Sequence, residues 1–444
     1  MLAFNFGIAF LVSVLFSLAP LMQLRQPDLN ATLGRQKNAA SSHGSRVRRA
    51  LVVLQLAFSL VLLIAAGLFT RTLHNLRSAQ LGYVTDHLLM FNVDPQMAGY
   101  KPEAAPGIDR RILENLAAQP GARSVALTSM PLLGDSNMSG NITVAGHKAT
   151  PGENTNVDFA EISAGYFSTV QTPLLAGRAF TAQDTATSEH VAVVDEAFVH
   201  HYFDGIPSKA IGSYFGIGSG NGTKVDIRIV GVVPDGKIAN LRDAAKDLAY
   251  IPYTQWDQAY LALPVDGMAF YVRTWQPPAT AIGGIRRAVA NVDANLAIES
   301  LQTMDQQIDQ VTQTEHMISI LSLCFGGLAT LLAAIGLYGM LAYATAQRTQ
   351  EIGIRMALGA DRGSVLWMVL REVLVLAAWG IGLALPTALL LSRLVKTQLY
   401  GMSSEDPLSY AAAAIALALV ALCAGFIPAR RAANTDPMVA LRTE

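Results

Sequence analysis

Gln347–Asp361, QRTQEIGIRMALGAD, lies between two apolar runs, Met317–Tyr343 and Val373–Ser392, each of a length that crosses a bilayer. Ile352, Met356 and Ala360 recur every four residues, with Ile354 and Leu358 beside them. That spacing predicts a short helix with one oily side and one charged side. Glu351 precedes Arg355 by four, the favourable order for a pair on a helix surface, and Arg348 and Arg355 share a stripe. Gly359 is placed to end the helix, because glycine accepts the left-handed conformation of a terminus. Asp361 or Ser364 can then cap the next one. An exposed pair such as Glu351 and Arg355 contributes only about 0.3–0.5 kcal/mol, so stability does not account for the pattern. Two readings of the spacing stay open: a helix resting on the membrane surface between two spans, or a docking surface for a partner.

The rest of the composition agrees with a membrane setting. Of 444 residues, 52% are hydrophobic and 15% charged, against about a quarter charged in a soluble chain. Apolar stretches occur at Met1–Leu24, Ala50–Thr70, Met317–Ala346, Val373–Ser392 and Pro407–Ala429, which predicts five spans. Met1–Leu24 lacks the basic start and cleavage site of a signal peptide and reads as a span. Lysine and arginine collect at Arg25, Arg35, Lys37, Arg46, Arg48 and Arg49, again at Arg348, Arg355, Arg362 and Arg371, and at Arg430, Arg431 and Arg442. Those three segments are therefore expected on the cytoplasmic side. Residues 71–315 hold 17 Lys and Arg against 25 Asp and Glu, a balance of −8, and fall outside. Cys324 and Cys423 lie in apolar runs and make no disulfide framework.

Taken in order, Asn30–Arg49 reads as a basic, solvated loop suited to an anionic inner leaflet. No aromatic residue interleaves its charges, which argues against nucleic acid. The outer segment carries two copies of a strand–helix–strand pattern. The first is Leu88–Val93, a helix around Ile108–Ala118, and Ser124–Ser129; the second is Met268–Arg273, a helix around Ala279–Val292, and Leu296–Leu301. Two such units pair into a layered α+β lobe. Between them the β-rich phrases SAGYFSTVQTPLLAGRAF (163–180), HVAVVDEAFVHHYF (190–203) and VDIRIVGVV (225–233) predict an inserted second lobe, roughly 140–265.

Candidate chemical sites fail on spacing. FGIGSGNGTK (215–224) lacks the Gly-Lys step before Ser or Thr that a phosphate loop requires, and reads as a hairpin tip. His200 and His201 are adjacent, so on a helix they point about 100° apart, which suits a solvated face better than a shared metal. No nucleophile elbow occurs. Glycines 326, 327, 336, 339, 380 and 382 read as close-packing positions, Pro386 as a kink or helix end, and Arg371 and Glu372 as snorkelling residues. The 27 residues Met317–Tyr343 exceed the thickness of the hydrocarbon core as one helix, long enough to carry displacement outward.

RTQEIGIRMALGA, the preceding GLYGMLAY (336–343), SAGYF with LLAGRAFTAQD (163–184), and PAR with DPMVALR (428–442) together resemble the MacB/FtsX-like ABC transporter permeases of the duplicated type. The resemblance runs from Val52 to Arg442. It implies an α-helical membrane protein with a large α+β extracytoplasmic domain inserted after the first span of a four-span FtsX-like unit. It also implies that Arg348, Glu351, Ile352, Gly353, Ile354, Arg355, Met356, Leu358 and Gly359 form a coupling helix that fits a cleft of a separate MacB-like ATP-binding subunit. The closing phrase IPARRAANTDPMVALRTE (427–444) is echoed by APLMQLRQPDLNATLGRQ (19–36), so 1–24 is expected to be the remnant of a preceding permease unit.

The expected layout continues with a basic cytoplasmic linker at 25–49, a span at 50–70, and a MacB-like periplasmic core at 71–315. A span at 316–346, the coupling loop at 347–363, and a span at 364–395 follow. A short outer loop at 396–407, a span at 408–428 and a cytoplasmic tail at 429–444 complete it. The function so implied is coupling of ATP hydrolysis on another subunit to movement of a periplasmic domain, in export or mechanotransmission, at the bacterial inner membrane. The alternative is an FtsX-like signalling scaffold for a periplasmic cell-wall hydrolase. Expected partners are the ATPase, the lipid bilayer, a second permease unit (a homodimer or the missing first half) and a periplasmic adaptor. No catalytic residue, cofactor or metal is expected.

Cysteines introduced at Ser41 and Ser219 should react with impermeant reagents from opposite faces of the membrane; labelling from one face alone would overturn this topology.

Overall fold

The computed structural model describes residues 37–134, 138–220, 222–242, 246–255, 267–358, 360–394, 400 and 406–434. The expected span at 1–24, Gly359, residues 396–399 and 401–405 of the outer loop, and residues 435–444 of the tail lie outside those residues.

In chain order, α1 is Lys37–Arg77, followed by β1 Leu88–Val93, α2 Ala105–Ala117, β2 Ala122–Thr128, β3 Met138–Val144 and β4 Asn156–Ile162. Next come α3 Tyr166–Val170, β5 Ala176–Gly177, β6 Val191–Asp195, α4 Glu196–Tyr202, α5 Pro207–Ala210, β7 Tyr214–Ile217, β8 Ile227–Val233 and β9 Leu248–Pro252. The chain continues through β10 Met268–Thr274, α6 Ile282–Ala290, β11 Glu299–Thr303, α7 Met304–Val311, α8 Gln313–Gln347, α9 Thr349–Ala357, α10 Arg362–Leu394 and α11 Pro407–Ala433. Two compact units result: Met1–Gly67, Ser322–Leu394 and Glu405–Glu444 in one, Leu68–Leu321 and Val395–Ser404 in the other.

In the second unit, the two strand–helix–strand patterns interleave as β11-β1-β10-β2, all antiparallel. Period-2 alternation puts Leu89, Phe91, Val93, Phe270 and Val272 on one face, where they meet Ile112 and Leu116 of α2 and Ile285 and Val289 of α6. The rings of Phe91 and Phe270 stack at 5.4 Å. The intervening segment forms more than irregular β structure. Its strands run β4-β3-β7-β8-β6-β9, and β9 pairs back onto β4 in parallel register, closing a ring of six. Closure leaves no free edge in that ring. Its interior is filled by Phe159, Val194, Phe198, Phe215 and Ile229.

Sheet pairing between β2 and β4 is limited to Thr128 opposite Ile162. Backbone bonds flank it, from the Ser129 amide to the Glu161 carbonyl at 2.9 Å and from the Ser163 amide to the Leu127 carbonyl at 3.1 Å, and Met90, Ala126 and Tyr271 pack with Ile162, Tyr166, Val193 and Tyr250. Arg273, 3% exposed, donates to the carbonyls of Thr169, Asp86 and Val84. Tyr271 Oη accepts from the Leu132 amide at 2.7 Å.

Among the described residues, α1 from Arg46, α8, α10 and α11 are long and apolar enough to cross a membrane. The expected loop at Asn30–Arg49 is corrected from Lys37 onward, since Lys37–Arg49 continues α1 as helix. Ala39, Ala40, Arg46, Arg48 and Arg49 are good helix formers, and extending an existing helix needs no new nucleus. Of the two outcomes expected at Pro386, a helix end is ruled out, because α10 runs through it. The glycines divide by surroundings. A Cβ on Gly380 would stand 2.9 Å from Leu56 Cβ and one on Gly336 would stand 2.7 Å from Gln55 Oε1, whereas Gly327, Gly339 and Gly382 have open space. Helix contacts also use hydroxyls: Ser59 and Thr330 are 2.9 Å apart, and Tyr410 Oη donates to Ser392 at 3.1 Å.

Asp109 on α2 and Glu161 on β4 are each 2% exposed, and each keeps an oxygen with no hydrogen-bond partner, Oδ1 and Oε1 respectively. Burial, reinforced by Asp94, raises Asp109 to about 7. Burial, reinforced by Asp109, raises Glu161 to about 8. In the unfolded chain both ionise near the ordinary carboxylate range, so the folded state holds the extra protons. Stability is therefore greatest below that range and falls as pH rises toward 8. The unfolding midpoint of the outer unit should drop by roughly 5 °C between pH 5 and pH 8, and Glu161→Gln should flatten that slope; a slope unchanged in the variant would show that Glu161 is not its source.

Candidate functional site

The polar stretch is helical, but its two ends are set by different means. Arg348 leaves helical geometry (φ −102°, ψ 9°), which separates α8 from α9. The hydroxyl of Thr349 bridges the break by donating to the Ala346 carbonyl at 2.9 Å. At the other end Leu358 closes α9 through its amide to the Ile354 carbonyl at 3.0 Å. Gly359, expected to stop the helix, lies outside the described residues. Asp361 precedes α10 and accepts from the Gly363 amide at 3.3 Å.

Packing sorts the expected oily face into two. Ile352 is 3% exposed and sits among Val365, Ala432 and Ala433, with Met356, Leu366 and Met368 against them. Gly353 is buried as well. Ile354 and Leu358 point away, at 45% and 83% exposure. The expectation that Ile354 and Leu358 lie beside Ile352 on one oily side is therefore corrected. At 100° per residue, positions 352 and 354 are about 200° apart, so an inward Ile352 turns Ile354 outward. The exposed stripe is then Glu351, Ile354, Arg355 and Leu358, joined by two steps of three and two of four along the helix. Glu351 and Arg355 pair within it, and Arg355 also reaches Met368 Sδ at 3.2 Å. Two apolar side chains flanked by a salt pair form a small, self-neutral, partly apolar protrusion.

Behind that stripe stands a carboxylate whose role the sequence reading missed. Glu372 on α10 accepts from Arg49 of α1 at 2.6 Å and lies 3.9 Å from Arg348. Snorkelling explains neither contact. The available signal was compositional: residues 322–394 contain three acids, Glu351, Asp361 and Glu372, amid arginines in every neighbouring inner segment. Next to this pair, the Arg48 guanidinium lies over the Tyr343 ring at 4.3 Å.

The other candidates fall out of the site. Phe215–Ile217 belong to β7, which pairs antiparallel with β8, Tyr214 opposite Arg228; Asn221 lies outside the described residues. His201 is more engaged than a solvated face allows, since Nδ1 bonds Asp247 and Nε2 lies 3.5 Å from Glu153, itself 2.6 Å from His147. Among the described residues no three His, Cys, Asp or Glu side chains are grouped to hold a metal.

Residues 50–299 match the model of the MacB-like periplasmic core domain, and residues 323–437 that of the FtsX-like permease C-terminal region. The macrolide export ATP-binding/permease protein MacB of Azoarcus sp. (strain BH72) is 28% identical over 287 residues, 61% of this chain and 40% of that protein. The protein of the same name from Escherichia coli is 26% identical over 277 residues, 61% of this chain and 41% of its own. The chain thus spans about two fifths of the length of these curated relatives. Among solved structures, the periplasmic region of MacB from Actinobacillus actinomycetemcomitans aligns at 17% identity with a TM-score of 0.35, covering 55% of this chain and 97% of that one.

Ile352→Ala should destabilise the seating of α9 by roughly 2–4 kcal/mol, the cost of emptying a buried isoleucine site, and speed amide exchange across 349–357. Leu358→Ala should leave that exchange unchanged. Equal effects would mean that α9 has no fixed inner face.

Proposed function

The chain belongs to the permease family built from a MacB-like periplasmic core domain and an FtsX-like C-terminal region, and from that premise we propose that it couples nucleotide hydrolysis on another subunit to movement of its own periplasmic domain. It is a multi-pass inner-membrane protein with that domain on the periplasmic side. In this proposal α9 is the receiving element. The observation that carries it is the split of α9 into a buried anchor, Ile352, and an exposed stripe of Glu351, Ile354, Arg355 and Leu358. A helix resting on lipid would put its apolar side chains on one face toward the acyl boundary. Here the apolar residues lie on opposite faces, one set seated in the bundle and one presented beside charge. That is the composition of a helix held from behind and gripped in front.

The partner is a MacB-like phosphate-loop ATPase on a separate subunit, with Arg348, Glu351, Ile354, Arg355 and Leu358 at the contact, Ile352, Gly353 and Met356 seating the helix, and Gly359 at its end. A push on α9 passes into α8, one helix of 35 residues, about 52 Å at 1.5 Å per residue. The first residues of α8, Gln313–Leu321, fold with the periplasmic unit and the remainder with the helical one. Export of amphipathic compounds, as the relatives' name states for macrolides, is the substrate class we assign. A second permease unit and a periplasmic adaptor complete the proposed assembly.

Exchanging the charges, Glu351→Arg with Arg355→Glu, and adding Leu358→Asp should abolish co-purification with the ATPase while membrane insertion is retained. Undiminished co-purification would remove α9 from the contact.

A further inference from the structure

We propose that Glu372 is a positioning residue that ties the start of α9 to α1, so that a displacement of α9 is passed to α1 as well as to α8. Three helices meet at its carboxylate. Glu372 belongs to α10, Arg49 to α1 near the start of its apolar stretch, and Arg348 is the residue at which α8 gives way to α9. Oε1 accepts from Arg49 at 2.6 Å, a short charge-assisted bond. Oε2 faces Arg348 at 3.9 Å, a Coulombic contact. One negative charge therefore lies between two positive ones that come from different helices.

The surroundings give that arrangement weight. The Glu372 side chain is 22% exposed, half the value for either arginine. On its inner side Leu341, Thr345, Arg348, Ile352 and Met368 join it around a void of about 10 Å³, at the lower limit for one water. The carboxylate touches the same space as the buried anchor Ile352. The other acids of residues 322–394 are committed elsewhere, Glu351 to Arg355 and Asp361 to the start of α10. Neutralising Glu372 would leave Arg49 and Arg348 facing each other without a counter-charge, and α9 would be seated only by the packing around Ile352 and Met356.

The functional half of this inference rests on the docking role proposed for α9; the positional half does not, and the test separates them. Amide exchange across 349–357 is measured in the full chain reconstituted in nanodiscs, without any partner. Glu372→Gln should speed it about fivefold, the ratio for an ion pair of about 1 kcal/mol. Arg49→Gln, on a helix distant in sequence, should do the same, and the double variant should add little to either. Unchanged exchange at 349–357 in both single variants would overturn the proposal. Should Glu372→Gln fail to insert, Arg49→Gln alone decides, because it leaves the carboxylate in place and removes its tie to α1. Co-purification of the unaltered chain with the ATPase is read in parallel: its failure would reject the docking role while leaving the exchange result to judge Glu372.

Discussion

A backbone inside lipid has no water to bond, so every amide must be satisfied within its own helix or closed sheet. That constraint explains why α1, α8, α10 and α11 are long and unbroken, and why α10 continues through Pro386. It also explains how the helices recognise one another. With hydrocarbon outside and hydrocarbon inside, apolar burial gives little reason for helices to meet. Close approach at Gly380 and Gly336, and hydroxyl pairs such as Ser59 with Thr330, supply the contacts instead.

The same constraint makes the polar break between α8 and α10 informative. A loop at the inner face could have been any flexible tether, yet α9 is seated by Ile352 and braced by Glu372 between Arg49 and Arg348. Neither feature is needed to return the chain to the membrane. The Glu351–Arg355 pair alone would add only a few tenths of a kcal/mol. A helix seated on one face with Ile354 and Leu358 exposed on the other is understandable if something is to press on it, since preorganised surfaces lose less entropy on binding.

The periplasmic unit meets a different demand, satisfying a sheet in water. Its antiparallel half covers one face with α2 and α6, and its other half closes on itself through β4 and β9. With one register pair and two flanking backbone bonds joining β2 to β4, side chains add much of the contact at the junction. Buried Arg273 ties three carbonyls there, and on the neighbouring elements α2 and β4 the raised carboxyls of Asp109 and Glu161 make stability sensitive to pH.

Membrane character and the strand–helix–strand pairs around Leu88–Thr128 and Met268–Thr303 were legible in the sequence, because burial on one face leaves a periodic record along the chain. So was the existence of a polar helix at 349–357. The sequence by itself could not tell which side of that helix turns inward, since apolar residues at 352, 354, 356 and 358 occur on both of its faces; packing against Val365 and Ala432 resolved it. It could not close β9 onto β4 or pair Glu372 with Arg49, 323 residues away. Contacts between distant segments depend on how chains cross in space, and local periodicity carries no trace of that.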